Sequence, residues 1–151
     1  MMDLSEYGIL LVEDDSNDIL FIQRAFRQAK LVNPIRIVKN GDEAIAYLAG
    51  EDGYGDRETY PLPALILLDL KLPRRSGLEV LEWLRQQPIL KRIPVVILTS
   101  SRESIDVDRA YDIGVNSYLL KPVKFPALIK MVEALDSYWL RLNQYPSILS
   151  S

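Results

Sequence analysis

Leu65-Ile66-Leu67-Leu68-Asp69-Leu70-Lys71-Leu72-Pro73, LILLDLKLP, decides how this chain folds. Four aliphatic residues run directly into a carboxylate, and aliphatic residues resume on both sides of Lys71. A short unbroken apolar run ended by turn-forming residues suits a strand covered on both faces, as in the middle of a parallel sheet. The carboxylate is the anomaly. Burying it costs free energy unless opposite charge or hydrogen bonds compensate, so Asp69 needs a reason to stand there.

The same grammar recurs on either side. Ile9-Leu10-Leu11-Val12 is an apolar run that ends in Glu13-Asp14-Asp15, and Ile19, Ile22, Phe26 and Ala29 then recur at helical spacing. Ser16 or Asn17 can cap that helix. Ile35-Arg36-Ile37-Val38 reads as a strand, and Asn40-Gly41-Asp42 turns into a helix with Ala44, Ile45 and Leu48 on one face, stopped by Gly50. Residues 51–63, EDGYGDRETYPLP, read as a long loop. After LILLDLKLP, Leu78, Leu81 and Leu84 mark a helix that ends before Pro88. Pro94 to Leu98 is a strand, Val107, Ala110 and Tyr111 a helix closed by Gly114, and Ser117 to Leu120 a strand. A last helix begins near Pro126 and puts Leu128, Val132, Leu135, Trp139 and Leu142 on one stripe, with Tyr138 beside it at the surface.

Five strand–helix units in strict alternation predict an α/β fold, a doubly wound parallel sheet with helices on both faces. Residues 1–143 read as one domain, and 144–151 as a frayed or partner-dependent tail. A chain of 151 residues, 48% apolar and 26% charged, can bury a real core and is not disordered. A net charge of −3 leaves no footprint for nucleic acid. The chain has no cysteine and no histidine, which excludes disulfides, thiol chemistry and any Ser-His-Asp triad. No apolar run is long enough to cross a membrane, and Asp3 and Glu6 stand where a signal peptide carries positive charge. The expected location is the cytoplasm.

Function in a parallel α/β sheet gathers at the carboxyl ends of the strands. Those ends carry Glu13, Asp14 and Asp15, then Asp69, then Thr99 and Ser100, then Lys121-Pro122. Carboxylates brought together either raise a pKa or recruit a cation. With oxygen donors only, the matching ion is hard: Mg²⁺, with Mn²⁺ or Ca²⁺ able to substitute. A carboxylate can also accept a phosphoryl group. That transfer needs in-line placement, a metal and positive charge near the phosphoryl oxygens. Asp69 suits the nucleophile, Glu13 and Asp14 the metal, Lys121 and Thr99 the phosphate. Ser100 reads as a cap or turn residue.

The acidic pair in LLVEDD, the aspartate in LILLDLKLP, the hydroxyl in PVVILTS and the lysine in YLLKP together resemble the receiver domain of two-component response regulators, over nearly the whole chain. The resemblance implies a flavodoxin-like strand order 2-1-3-4-5. It implies Asp69 as phosphoacceptor from a sensor histidine kinase. The metal would be held by Glu13, Asp14, Asp69 and the backbone carbonyl of Lys71. Thr99 is implied as the switch hydroxyl, Tyr118 as the switch aromatic, and Lys121 as the phosphoryl contact, before a Lys121–Pro122 bond that is often cis in the family. It further implies a signalling module with only self-phosphorylation and self-dephosphorylation chemistry. Output would run through a downstream protein or a homodimer on the face of the fourth helix, fifth strand and fifth helix.

Glu13 departs from the commoner Asp and can reach the metal directly or through water. Lys71 sets a cationic side chain beside the site, and Ser100 replaces a small apolar residue. The loop before the third strand, the RIPVVILT strand and the ending SYWLRLNQYP are similar to the stand-alone regulators that partner bacteriophytochromes, of cyanobacterial type. No output domain follows, so a stand-alone regulator is expected. Two other readings compete. A phosphatase of the haloacid dehalogenase type wants a second Asp two residues after the nucleophile, where this chain has Lys71. A pseudo-receiver that scaffolds without phosphate does not need the complete acidic set.

Overall fold

The computed structural model describes residues 7–148. Its five strands are parallel: β1 (Ile9–Val12), β2 (Ile35–Val38), β3 (Leu65–Leu68), β4 (Val95–Thr99) and β5 (Ser117–Leu120), in the order β2-β1-β3-β4-β5. The helices are α1 (Ser16–Gln28), α2 (Gly41–Ala49), α3 (Gly77–Arg85), α4 (Ser104–Ile113) and α5 (Phe125–Leu135). The expected α/β fold and strand order are both present.

The strands alternate between two cores. Leu10, Val12, Ile66, Leu68 and Ile97 face a layer containing α2 and α3 residues such as Tyr47, Leu48, Val80, Leu81 and Leu84. Ile9, Leu11, Leu65, Leu67, Val96 and Leu98 face Ile22, Phe26, Leu128 and Val132 of α1 and α5. All four side chains of β3 are buried because the strand is central and covered twice. Each such leucine contributes about 1.5–3 kcal/mol of burial. β2 and β5 form the edges, and their side chains are mostly only partly buried.

Local chemistry fixes where the helices start. The N-cap of α1 is Asp15, not Ser16 or Asn17: its carboxylate accepts the Asp18 N–H at 2.9 Å, so both later residues lie inside the helix. Asn40 caps α2, and Ser76 with Glu79 forms a capping box on α3. Gly50 and Gly114 close α2 and α4 in the left-handed conformation, at φ 75° and 119°.

Two expectations about the C-terminus fail. The apolar stripe holds for Leu128, Val132 and Leu135, but Leu142 is 71% exposed and Leu140 is buried instead. The helix changes after Leu135 to π-helical turns over Asp136–Leu142, with bonds such as Asn143 N–H to Tyr138 O at 2.7 Å. An i→i+5 pattern widens each turn, so a stripe extrapolated at 3.6 residues rotates off the core. The tail, as far as Ile148, is not frayed. Tyr145 stacks on Tyr7 with ring centroids 3.8 Å apart, Arg92 donates to Ser147 O at 3.0 Å, and Ile148 packs on the core. Apolar burial and the Arg92 side-chain hydrogen bond to the Ser147 carbonyl outweigh the entropy of a loose end.

The 51–63 loop is tied down by two cations, Arg36, which donates to Thr59 O at 2.7 Å, and Arg57. Arg57 donates from Nη1 to Tyr47 O and from Nη2 to Leu48 O, each at 2.8 Å, which satisfies carbonyls at the end of α2. Tyr47, Tyr54 and Tyr60 cluster over it, with centroids 4.9–6.1 Å apart. Burial, helped by the Glu43 carboxylate, pushes Tyr54 up to about 12. Burial, helped by Tyr7 and Asp136, does the same to Tyr145. Folded tyrosines thus keep protons that unfolded ones release above pH 10, so stability falls as pH rises from 10 towards 12. In a titration of phenolate absorbance, part of the signal should appear later in native protein than in urea. Coincident curves would contradict this reading.

Candidate functional site

The carboxyl ends of the strands build the site, and the ladder sets their depth. Val12 pairs with Leu68, and Asp69 N–H donates to Val12 O at 3.1 Å, so Glu13 and Asp69 emerge side by side. Lys121 N–H donates to Thr99 O at 2.8 Å, which brings the fourth and fifth strand ends to the same edge. Glu13 is 2% exposed, Asp69 7% and Thr99 0%, while Asp14 and the Lys71 side chain lie in solvent.

At the centre is the Lys121 ammonium. It lies 2.5 Å from Glu13 Oε1, 2.8 Å from Asp69 Oδ2 and 2.7 Å from Asp18 Oδ2. Glu13 Oε2 also accepts the backbone N–H groups of Asp14 and Asp15, both at 3.1 Å. Asp69 Oδ1 accepts the Lys71 N–H at 3.3 Å. Burial pushes Glu13 up to about 7, with Asp69 adding to the rise and Lys121 opposing it. Burial also acts to raise Asp69, but the Lys121 hydrogen bond and charge prevail, helped by the Thr99 hydroxyl and the Lys71 amide, and hold it below the ordinary carboxylate range. Burial opposes the charge on Lys121, yet its three carboxylates hold its pKa above the usual value. Two neighbouring carboxyls are thus pushed in opposite directions, a pattern that marks functional sites.

Oxygens of Glu13, Asp14 and Asp69 all lie within 4.8 Å of one another. Three carboxylates with no nitrogen or sulfur donor among them fit a hard divalent cation. The Lys121–Pro122 bond is trans, and no cis peptide occurs among the described residues; trans is the ordinary preference of such bonds. Tyr118 is partly buried, and its hydroxyl donates to Ser101 O at 2.9 Å.

The sequence-predicted residues Glu13, Asp14, Asp69, Thr99 and Lys121 all stand at this one edge. Three contributors were not anticipated. Asp18 reads in sequence as an ordinary first-turn acid, favoured by the helix dipole. Ser101, rather than the exposed Ser100, is the buried serine. Its hydroxyl donates to Asp106 at 2.6 Å, tying the β4–α4 junction to α4. Gly77 opens α3 against the backbone of Asp69: a Cβ there would lie 2.2 Å from Asp69 O and 2.8 Å from Leu70 Cα. The only sequence signal for it was the Ser-Gly pair. Gly77→Ala should cost about 1–3 kcal/mol in urea unfolding and slow any chemistry at Asp69. Unchanged stability and reactivity would show that the loop yields without consequence.

A family model for the response regulator receiver domain matches residues 9–133. The chain belongs to the response regulator receiver family. Its relatives agree. Response regulator Rcp1 of Synechocystis is 41% identical over 139 residues, covering 92% of each chain. The solved structure of the phosphorylated cyanobacterial phytochrome response regulator RcpA superposes with a TM-score of 0.86 at 39% identity, over 93% of this chain and 99% of the other. The Mn²⁺-bound form of Rcp1 gives 0.83 at 40% identity, with the same coverage. Against this receiver fold, the acidic cluster is consistent with binding of a divalent metal.

Proposed function

We propose that Asp69 accepts a phosphoryl group from a phosphohistidine of a sensor histidine kinase, and that its phosphorylation switches a protein-interaction surface. One observation carries the reading: the buried Asp69 carboxylate, kept ionised, sits 2.8 Å from the Lys121 ammonium and beside the Glu13–Asp14 pair. An Asp69 oxygen attacks phosphorus as the P–N bond breaks and its electron pair stays on the imidazole. Lys121 then meets the new charge on the phosphoryl oxygens. Mg²⁺ held by Glu13, Asp14, Asp69 and the Lys71 carbonyl would neutralise further phosphoryl charge. The Mn²⁺-bound relative supports a divalent ion.

The switch would run through Thr99 and Tyr118. Thr99 ends β4 fully buried, and Tyr118 is tied to Ser101 two residues later, so movement of the Thr99 hydroxyl pulls on the junction that holds the ring. Ile105 and Tyr111 of α4 are 69% and 51% exposed, which supports docking of a downstream protein or a second copy on the α4–β5–α5 face. Relatives named for phytochromes support a phytochrome-linked kinase as the donor's source. No helix among the described residues is long and apolar enough to cross a membrane, in keeping with a cytoplasmic role.

Incubation with acetyl phosphate and Mg²⁺ should add the mass of one phosphoryl group, and chelation of the metal should prevent it. No adduct under these conditions would refute the reading. Sustained hydrolysis of a phosphate monoester would instead favour the phosphatase, against which the position of Lys71 speaks.

A further inference from the structure

We propose that Asp18 is a positioning residue for Lys121, holding the ammonium at the site when Glu13 and Asp69 are engaged elsewhere; this rests on the phosphoacceptor reading of Asp69. Lys121 has three N–H donors and three carboxylate partners. The partners differ in what else they serve. Glu13 and Asp69 belong with Asp14 to the cluster whose oxygens fit a divalent cation, and Asp18 does not. Glu13 and Asp69 can therefore serve either Lys121 or a metal, whereas Asp18 serves Lys121 alone.

Asp18 is also well anchored. Its backbone N–H is held at 2.9 Å by the Asp15 carboxylate that starts α1, and α1 packs on α5. The Lys121–Asp18 bond spans 103 residues of sequence and joins the first helix to the end of β5. A lysine stem with four rotatable carbons is flexible. Without a fixed third partner, an ammonium released by Glu13 would swing into solvent and be lost to the phosphoryl group. The bland alternative is a half-exposed ion pair that adds little to stability and nothing to the chemistry.

The two accounts part in magnetic resonance of the full chain carrying isotope-labelled lysine. The slowly exchanging Lys121 ammonium signal, assigned with Lys121→Met, should survive addition of Mg²⁺ in the native protein and vanish on the same addition in Asp18→Asn. Survival in both, or loss in both, would overturn the proposal. In acetyl phosphate labelling, Asp18→Asn should be slower by about tenfold, as for a misplaced catalytic group, and Asp18→Glu should recover most of the rate. In a Lys121→Met background, Asp18→Asn should add nothing; a further loss there would mean that Asp18 acts without Lys121. If the native chain accepts no phosphate at all, the phosphoacceptor reading falls, while the ammonium signal still decides whether Asp18 holds Lys121.

Discussion

Asp69→Asn should abolish phosphoryl uptake: intact mass after acetyl phosphate and Mg²⁺ should show no adduct, where the native chain gains one. The effect is expected to be complete because the two carboxyls grouped with Asp69 are poorly suited to the role. Glu13 is buried, pushed up to about 7 by burial, and committed through Oε2 to two backbone N–H groups. Asp14 lies in solvent, away from the Thr99 and Lys121 contacts that keep Asp69 ionised. An amide at this position has the shape of the carboxylate but neither its charge nor its nucleophilicity. The variant should fold. It leaves Lys121 with Glu13 and Asp18, and it removes a repulsion between Glu13 and Asp69. A persistent adduct in Asp69→Asn would move the acceptor to another residue.

Most of the architecture was legible because its causes are local. The β3 sequence is apolar without interruption, so it had to lie in the middle of the sheet, and Asp69 follows it by one residue to the carboxyl edge. Glu13, Thr99 and Lys121 were legible for the same reason, since each directly follows or ends a strand. What escaped depends on contacts between distant segments or on a change of helical pitch. Asp18 matters only because β5 brings Lys121 to it. The docked tail depends on the Tyr7–Tyr145 stack, which joins the two ends of the described chain. Leu142 was misread because the helix abandons its 3.6-residue repeat after Leu135. Ser101 and Ser100 cannot be told apart until the turn after β4 has a shape.

Lys121→Met should reveal what the ammonium does for the fold itself. In the native protein it compensates three carboxylates, two of them buried. Methionine keeps much of the stem's packing and removes only the charge. Breaking a buried ion pair from one side costs about 3–5 kcal/mol, and the partial exposure of this site places the loss near the lower end, about 3 kcal/mol. Urea unfolding in chelator should show this loss. The deficit should shrink with Mg²⁺, because loss of the ammonium frees Glu13 and Asp69 to join Asp14 around a divalent ion, which then binds the folded variant more tightly than the folded native chain. Acid should act in the same direction. Without Lys121, Glu13, already raised to about 7 by burial, loses a contact that lowers it, and Asp69 loses the two contacts that lower it most, so both rise and the variant's folded state binds more protons than the native one. Stability of the variant relative to native therefore improves as pH falls from above 7 into the acid range. A loss indifferent to both Mg²⁺ and pH would mean that Lys121 contributes packing alone, and that the carboxylates are compensated by some other means.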